Sequence, residues 1–300
     1  MAGSERKQPK LTKVFDIRKL GVRVGLYTFL AVLTLLFMFP FYTMFVASFM
    51  ERTALNSVTP VLWPNPFILD NYKALFTGEI GNSVIDSSYL RAMLNSFLLA
   101  AGQTIPALFF TSLVGFVFAK RQFPGRNALF IFVLLTMMLP YQSTIVPFFL
   151  LMSRLNWIDT FLPLWIPWWA PAFGIFLMRQ FIMASIPDEI MDAAAIDGTS
   201  LFGTYWRIVL PLITPVLAVF GILNFMGAWN DYIYSNIFMF SAEMRTLPLL
   251  LALYQGTSLR APEYGIMAAG SVLAVIPLVI IFLVFQRRLI SGIMSGALKG

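Results

Sequence analysis

Six stretches of this chain run for 19 to 28 residues without one Asp, Glu, Lys, Arg or His, at 24–50, 92–119, 127–153, 160–178, 208–230 and 264–286. A helix needs about 20 apolar residues to cross the hydrocarbon core of a bilayer, so each is long enough, and the chain reads as an all-α membrane protein with six transmembrane helices. Composition agrees, with 59% hydrophobic and 12% charged residues. Two further apolar stretches do not qualify. Residues 53–69 carry Pro60, Pro64 and Pro66 and read as an irregular loop, while 246–259 is too short to cross and reads as an interfacial helix. The first run is too long for a signal-peptide core and is not followed by a small-x-small cleavage pattern, so it is expected to remain as the first span.

Six crossings put both termini on one side. Of the 21 Lys and Arg residues, 15 fall on the side of the termini; the other side has six, Arg52, Lys73, Arg91, Arg154, Arg245 and Arg260. The terminal side is therefore cytoplasmic. This divides the chain into a basic cytoplasmic segment at 1–23, a membrane domain at 24–286 and a cytoplasmic tail at 287–300. The net charge of +7 is this orientation signal and not a nucleic-acid footprint. No outer connection is long enough to form a separate ligand-binding domain, so an external recognition module has to be another chain. The inner segment 179–207 is much longer than a hairpin between helices requires and is expected to be a folded contact surface.

Cys and His are absent, which excludes disulfides, thiolate or imidazole metal sites and Ser-His or Cys-His nucleophile pairs. The spans lack the intramembrane ionisable groups that a proton-driven carrier uses, so the driving force is expected to enter from outside the bilayer. Neutral polar groups do occur there: Asn95, Ser96, Gln103 and Thr104, then Gln142, Ser143 and Thr144, then Asn224 and Asn230. They suit a hydroxyl-rich solute, and Asn95, Gln142, Asn224, Trp229 and Asn230 are the candidates for its path; interhelical hydrogen bonding is the competing role. Pro106, Pro140, Pro147, Pro167, Pro171 and Pro277 imply kinked helices. Trp165, Trp168 and Trp169 either stack on a ring-shaped solute or anchor a span at the interface.

Within the inner segment, Ser185, Pro187 and Asp188 read as a helix start with Ser185 as its cap, and Gly198 as its stop; Thr199 or Ser200 caps a second helix that leads to Leu210-Pro211. Ala193, Ala194 and Ala195 give the first helix a nearly smooth face. Such a hairpin either docks on another protein or rests on the bilayer.

Asp192-Ala193-Ala194-x₃-Gly198-x₉-Ile208-x-Leu210-Pro211 resembles the EAA loop of bacterial ABC importer permeases, E-A-A-x₃-G-x₉-I-x-L-P, with Asp192 in place of Glu. The likeness extends along the chain to the sugar-importer branch, which includes the smaller membrane subunit of the maltose transporter. Asn71-Tyr72, Asn95-Ser96, Pro140-Tyr141-Gln142, Trp229-Asn230 and the tail from Ser291, with Gly292, Gly296, Ala297, Lys299 and Gly300, carry it.

The resemblance implies a multi-pass subunit of the cytoplasmic (inner) membrane that forms half of a translocation pathway. Its coupling loop, 185–211, would dock in a cleft of an ATPase. The implied partners are a second permease subunit, two ATPase subunits and an extracytoplasmic sugar-binding protein. This chain would bind no cofactor, ATP and Mg sitting on the ATPase partners; none of its seven lysines lies in a phosphate-loop pattern. Polyols or glycerol phosphate are the alternative solutes, and a self-sufficient secondary carrier or an intramembrane enzyme the alternative classes.

Overall fold

Of the six apolar runs, three fold as single continuous helices and three are interrupted, each at prolines. In the computed structural model, which describes residues 17–57, 61–80, 83–84, 88–256 and 261–297, the chain is almost entirely helical. Helices α1 (Ile17–Ala47), α4 (Tyr89–Lys120) and α15 (Tyr264–Ala297) are each long and apolar enough to cross a membrane. Between α1 and α4 lie the short helices α2 (Arg52–Leu55) and α3 (Asp70–Thr77) and a two-residue hairpin pairing, β1 (Glu79–Ile80) with β2 (Ser83–Val84).

The run 127–153 is divided into α5 (Arg126–Met137) and α6 (Tyr141–Arg154), neither long enough to cross alone. Pro140 sits at the N-cap of α6; its ring disfavours helical backbone at Leu139 and it has no N–H to continue the ladder. The fourth run begins irregularly, with α7 (Leu162–Trp165) and a 3₁₀ turn (Ile166–Trp168), because Pro163, Pro167 and Pro171 recur every four residues. Helix α8 (Ala172–Ser185) then runs seven residues beyond the expected end at 178, so Ser185 closes it and does not cap the following helix. The cap position belongs to Pro187, and α9 (Asp188–Ile196) leaves at 82° to the Leu162–Ser185 segment.

The fifth run is bent near its start. α10 (Leu201–Thr204), a π turn (Tyr205–Val209) and α11 (Leu210–Leu212) form one arm, and α12 (Thr214–Trp229) departs from it at 79°. Pro211 and Pro215 explain the corner, since Pro215 cannot donate to the Pro211 carbonyl. Residues 208–213 thus precede the crossing helix instead of opening it. Among the described residues three helices qualify as spans by length and composition, or five if each bent pair is one span. Of the six prolines named above, Pro106, Pro147 and Pro277 lie inside continuous helices, while Pro140 and Pro171 begin helices and Pro167 lies in the 3₁₀ turn.

α4 is the central element, packed on α8 and α12, with α12 also on α15 and α15 on α1. At Gly174 a Cβ would stand 2.5 Å from Phe220 Cζ and 2.7 Å from Thr111 Cγ2, so α8 approaches its neighbours only because no side chain is there. One core cluster lies beside the π turn, around Phe116, Met178, Ile182, Tyr205 and Val209; another lies beside α14, around Tyr89, Phe225, Trp229 and Leu250. Most large side chains of α1 are exposed, as suits a helix surrounded by lipid or a partner.

The remaining helices, α13 (Ile233–Phe238), a 3₁₀ turn (Ala242–Met244) and α14 (Leu247–Leu253), form the connection between α12 and α15, the outer one in the orientation expected from charge. The stretch 246–259 therefore contains only a seven-residue helix. Leu247, Leu249 and Leu250 bury it against protein, with contacts to α4 and α15, whereas the sequence suggests an interfacial helix. Residues 257–259 lie outside the described residues.

Candidate functional site

The hairpin at 185–211, the inner one in the orientation expected from charge, is built from a fixed corner outwards. Lys120, at the end of α4, has a side chain only 6% exposed; its ammonium donates to the Ile186 carbonyl and to Asp188 Oδ1, the latter at 2.6 Å. That pins the α8–α9 corner to the end of the central helix. Asp188 and Glu189 occupy the first turn of α9, where negative charge complements the helix dipole.

The helix ends in a Schellman motif. Thr199 N–H donates to Ala194 O, Gly198 N–H donates to Ala195 O, and Gly198 takes a left-handed φ of 71°. Ser200 then caps α10, its Oγ accepting from Gly203 N–H at 3.1 Å. In the π turn Tyr205 and Val209 are fully buried, and the Tyr205 hydroxyl pairs with Ser112 Oγ of α4 at 2.8 Å.

The seven coupling-loop candidates divide into two groups. Asp192, Ala193 and Gly198 are exposed, with Ala194 turned into the hairpin and buried. Ile208 and Leu210 are half-buried on the arm leading to α12, and Pro211 is exposed near its corner. Beside the first group the hairpin shows large apolar side chains to the outside: Ile196 is 86% exposed, and Phe202 and Trp206, stacked at 6.2 Å, are more than half exposed. Sequence reasoning passed over Lys120, Tyr205 and these three.

A cavity of about 380 Å³ lies between α4, the 3₁₀ turn before α8, α12 and α13, with Gln103, Trp168, Asn224, Asp231 and Tyr234 among its lining residues. Asn224 Nδ2 donates to Thr104 Oγ1 at 3.2 Å. Asp231 Oδ2 accepts from Ser235 N–H at 2.8 Å and Ser235 Oγ at 3.0 Å, and Oδ1 from Tyr234 N–H at 3.4 Å. Burial pushes the Asp231 carboxyl above its ordinary value, against the opposing pull of these donors.

The other path candidates are placed differently. Asn95 Nδ2 donates to the Glu243 and Arg245 carbonyls at 2.7 and 2.9 Å, so its amide ties α4 to the outer connection. Trp229 is buried and stacked on Phe225, and Asn230 is exposed with its amide bonded back to Met226 O at 2.8 Å. The side chain of Gln142 lies outside the described residues. Of the three tryptophans, Trp165 and Trp169 donate to the Leu99 and Gly102 carbonyls of α4, and Trp168 lines the cavity. Among the described residues no group of three or more Asp or Glu is placed to hold a metal ion.

Residues 107–295 match the family model described as binding-protein-dependent transport system inner membrane component. The arabinooligosaccharides transport system permease protein AraQ of Bacillus subtilis (strain 168) is 34% identical over 283 residues, 93% of this chain and 96% of that one. The sn-glycerol-3-phosphate transport system permease protein UgpE of Yersinia enterocolitica is 30% identical over 276 residues, 92% of this chain and 97% of that one. A crystal structure of a bacterial ABC transporter involved in the import of the acidic polysaccharide alginate has a chain that aligns with a TM-score of 0.76 at 20% identity, covering 93% of this chain and 99% of that one.

Proposed function

Because the chain belongs to the family of inner membrane components of binding-protein-dependent transport systems, the permeases of ABC importers, we propose that it forms half of the translocation pathway for a sugar. It is a multi-pass membrane permease, not an enzyme; ATP hydrolysis belongs to partner subunits. Importers of this class work with ATPase and binding-protein partners. In our reading these are a second permease subunit, two identical ATPase subunits holding ATP and Mg, and an extracytoplasmic sugar-binding protein.

The observation that carries the reading is the inner hairpin. An amphipathic hairpin resting on lipid would turn Ile196, Phe202 and Trp206 towards the bilayer from a freely jointed segment. Here they stand on an arm fixed to α4 by Lys120 and Tyr205, which suits transmission of force to the spans. We read 185–211 as the coupling loop, with Asp192, Ala193 and Gly198 on the docking side and Ile208, Leu210 and Pro211 joining the hairpin to α12. The Leu162–Ser185 segment, α12 and the α5–α6 pair complete six spans with α1, α4 and α15, within a membrane domain at 24–286. The segments 1–23 and 287–300 are then cytoplasmic.

A sugar fits the cavity better than a phosphate ester. Its polar lining combines two amides, two aromatic rings and one carboxylate with no Lys or Arg, and a carboxylate repels a phosphate that an arginine would recruit. The experiment is reconstitution of the complete importer in proteoliposomes with Ile196→Asp. Loss of ATP-driven sugar uptake with retained nucleotide binding by the ATPase subunits is the expected result; uptake at the wild-type rate would refute the docking role.

A further inference from the structure

Beside the base of the 185–211 hairpin, three cations surround the α4–α5 turn with no acid paired to them among the described residues. Lys120 points inward and is consumed by Ile186 and Asp188, but Arg121, Arg126 and Arg179 have no carboxylate partner among the described residues. Phe118 touches both Phe123 and Phe130, with ring centroids 5.9 and 5.5 Å apart, and these rings form an apolar floor. The Arg179 guanidinium lies 4.1 Å over the Phe130 ring and its Nε donates to the Phe118 carbonyl at 3.4 Å. Arg126, tethered through Nη1 to the Arg121 carbonyl at 3.2 Å, is close enough to Arg179 for the two charges to repel.

Holding like charges together is unfavourable unless an anion sits between or beside them. Among the described residues the inner-face carboxylates, Asp188, Glu189, Asp192 and Asp197, all belong to the coupling hairpin, and Asp188 is already paired. The turn lies where α4 ends and α5 begins, which in the six-span reading puts it at the level of the lipid headgroups, and α5 leads away from it with Leu129, Ile131 and Phe132 more than half exposed. Cations at headgroup depth followed by an apolar helix face match both parts of an amphiphile.

The geometry points to a binding site for an anionic phospholipid, its phosphate held by Arg126 and Arg179 and an acyl chain laid along α5. Guanidinium donors suit phosphate oxygens better than a point charge does. Arg179 also donates through Nη1 to Gln180 Oε1 at 2.9 Å, which leaves Nη2 for the phosphate, and neither arginine is in an ion pair among the described residues. The site is separate from the solute cavity and requires only that α4 and α5 lie in the bilayer. Its failure would leave the transport reading untouched.

The test uses the complete importer in nanodiscs of phosphatidylcholine containing a photoactivatable phosphatidylglycerol, with cross-links mapped by mass spectrometry. Phosphatidylglycerol should be captured at 118–132 in preference to photoactivatable phosphatidylcholine. Arg126→Gln should lower that capture about fivefold, one cation's share at a charged membrane surface, while Arg154→Gln, at the far end of α6, should leave it unchanged. The wild-type comparison needs no variant to fold, and equal capture of the two lipids there would overturn the site. Undiminished capture in Arg126→Gln would do the same, as would displacement of the lipid by millimolar inorganic phosphate, which would make a free anion the occupant.

Discussion

At Gly198 an added Cβ would meet nothing within 4 Å, so the glycine is required by its backbone and not by crowding inside this chain. Gly198→Val is expected to leave expression close to normal, since left-handed backbone costs a side chain about 1–2 kcal/mol. Uptake should nevertheless fall about tenfold, the equivalent of 1.4 kcal/mol lost from the docked state; proteoliposome transport alongside an expression blot reads both. Lys120 should behave oppositely. Lys120→Met removes a buried charged donor and should lower stability by about 1.5–3 kcal/mol in thermal unfolding, whereas Asp188→Asn should change it far less because Asp188 is 84% exposed and the Ile186 carbonyl still accepts. The two residues also differ in how plainly the sequence announces them. A glycine closing an alanine-rich helix has one economical explanation. A lysine at the end of an apolar run looks like any membrane-edge charge, and its acceptors lie 66 and 68 residues further on.

Among elements, the apolar runs mark where membrane-depth chain lies but not where helices stop. Proline supplies the breaks, yet Pro106 and Pro277 sit within long helices while Pro140 divides one. The difference rests on whether packing satisfies the freed carbonyls, which no single run encodes. The outer connection is likewise fastened by distant partners: Asp159 Oδ1 accepts from Phe240 and Ser241 N–H at 2.9 and 3.0 Å, and Ser96 Oγ accepts from Leu247 N–H at 2.8 Å. Two carboxylates there should give opposite pH responses. Burial acts to raise Asp159, but the Ser241 and Phe240 donors outweigh it and hold the group below its ordinary 3.8. Its stabilisation is present above that value and lost as pH falls through the lower folded one. Burial raises Asp231 above 3.8, so its contribution is complete below that value and lost as pH rises through the folded one. Asp231→Asn should therefore flatten the loss of stability on the upper side of 3.8, and Asp159→Asn the loss on the lower side. Melting the purified permease in buffers that span both sides of pH 3.8 separates them; identical profiles for both variants would contradict these assignments.

Over the whole molecule, the distribution of 15 against six basic residues is the strongest guide to orientation, because charge bias acts during insertion and needs no tertiary contact. In a chain free of cysteine, a cysteine at exposed Glu79 should react with an impermeant reagent from outside, and one at exposed Ser200 only after the membrane is opened. External labelling at 200 would reverse the topology. The long-range arrangement around α4 was less legible, since it depends on close contacts such as Gly174 with Phe220 that pair residues from different runs. One product of that arrangement has a mechanical meaning. With its base pinned at Ile186 and its nine residues set at 82° to the preceding segment, α9 is a lever arm of about 14 Å. A swing of about 15°, the size of a typical rigid-body switch, carries its Gly198 end through about 3.6 Å. In the coupling role proposed for this hairpin, the same arm run in reverse gains force as it loses travel, so a push of a few ångströms at the exposed tip would reach the end of α4 as a short, strong torque.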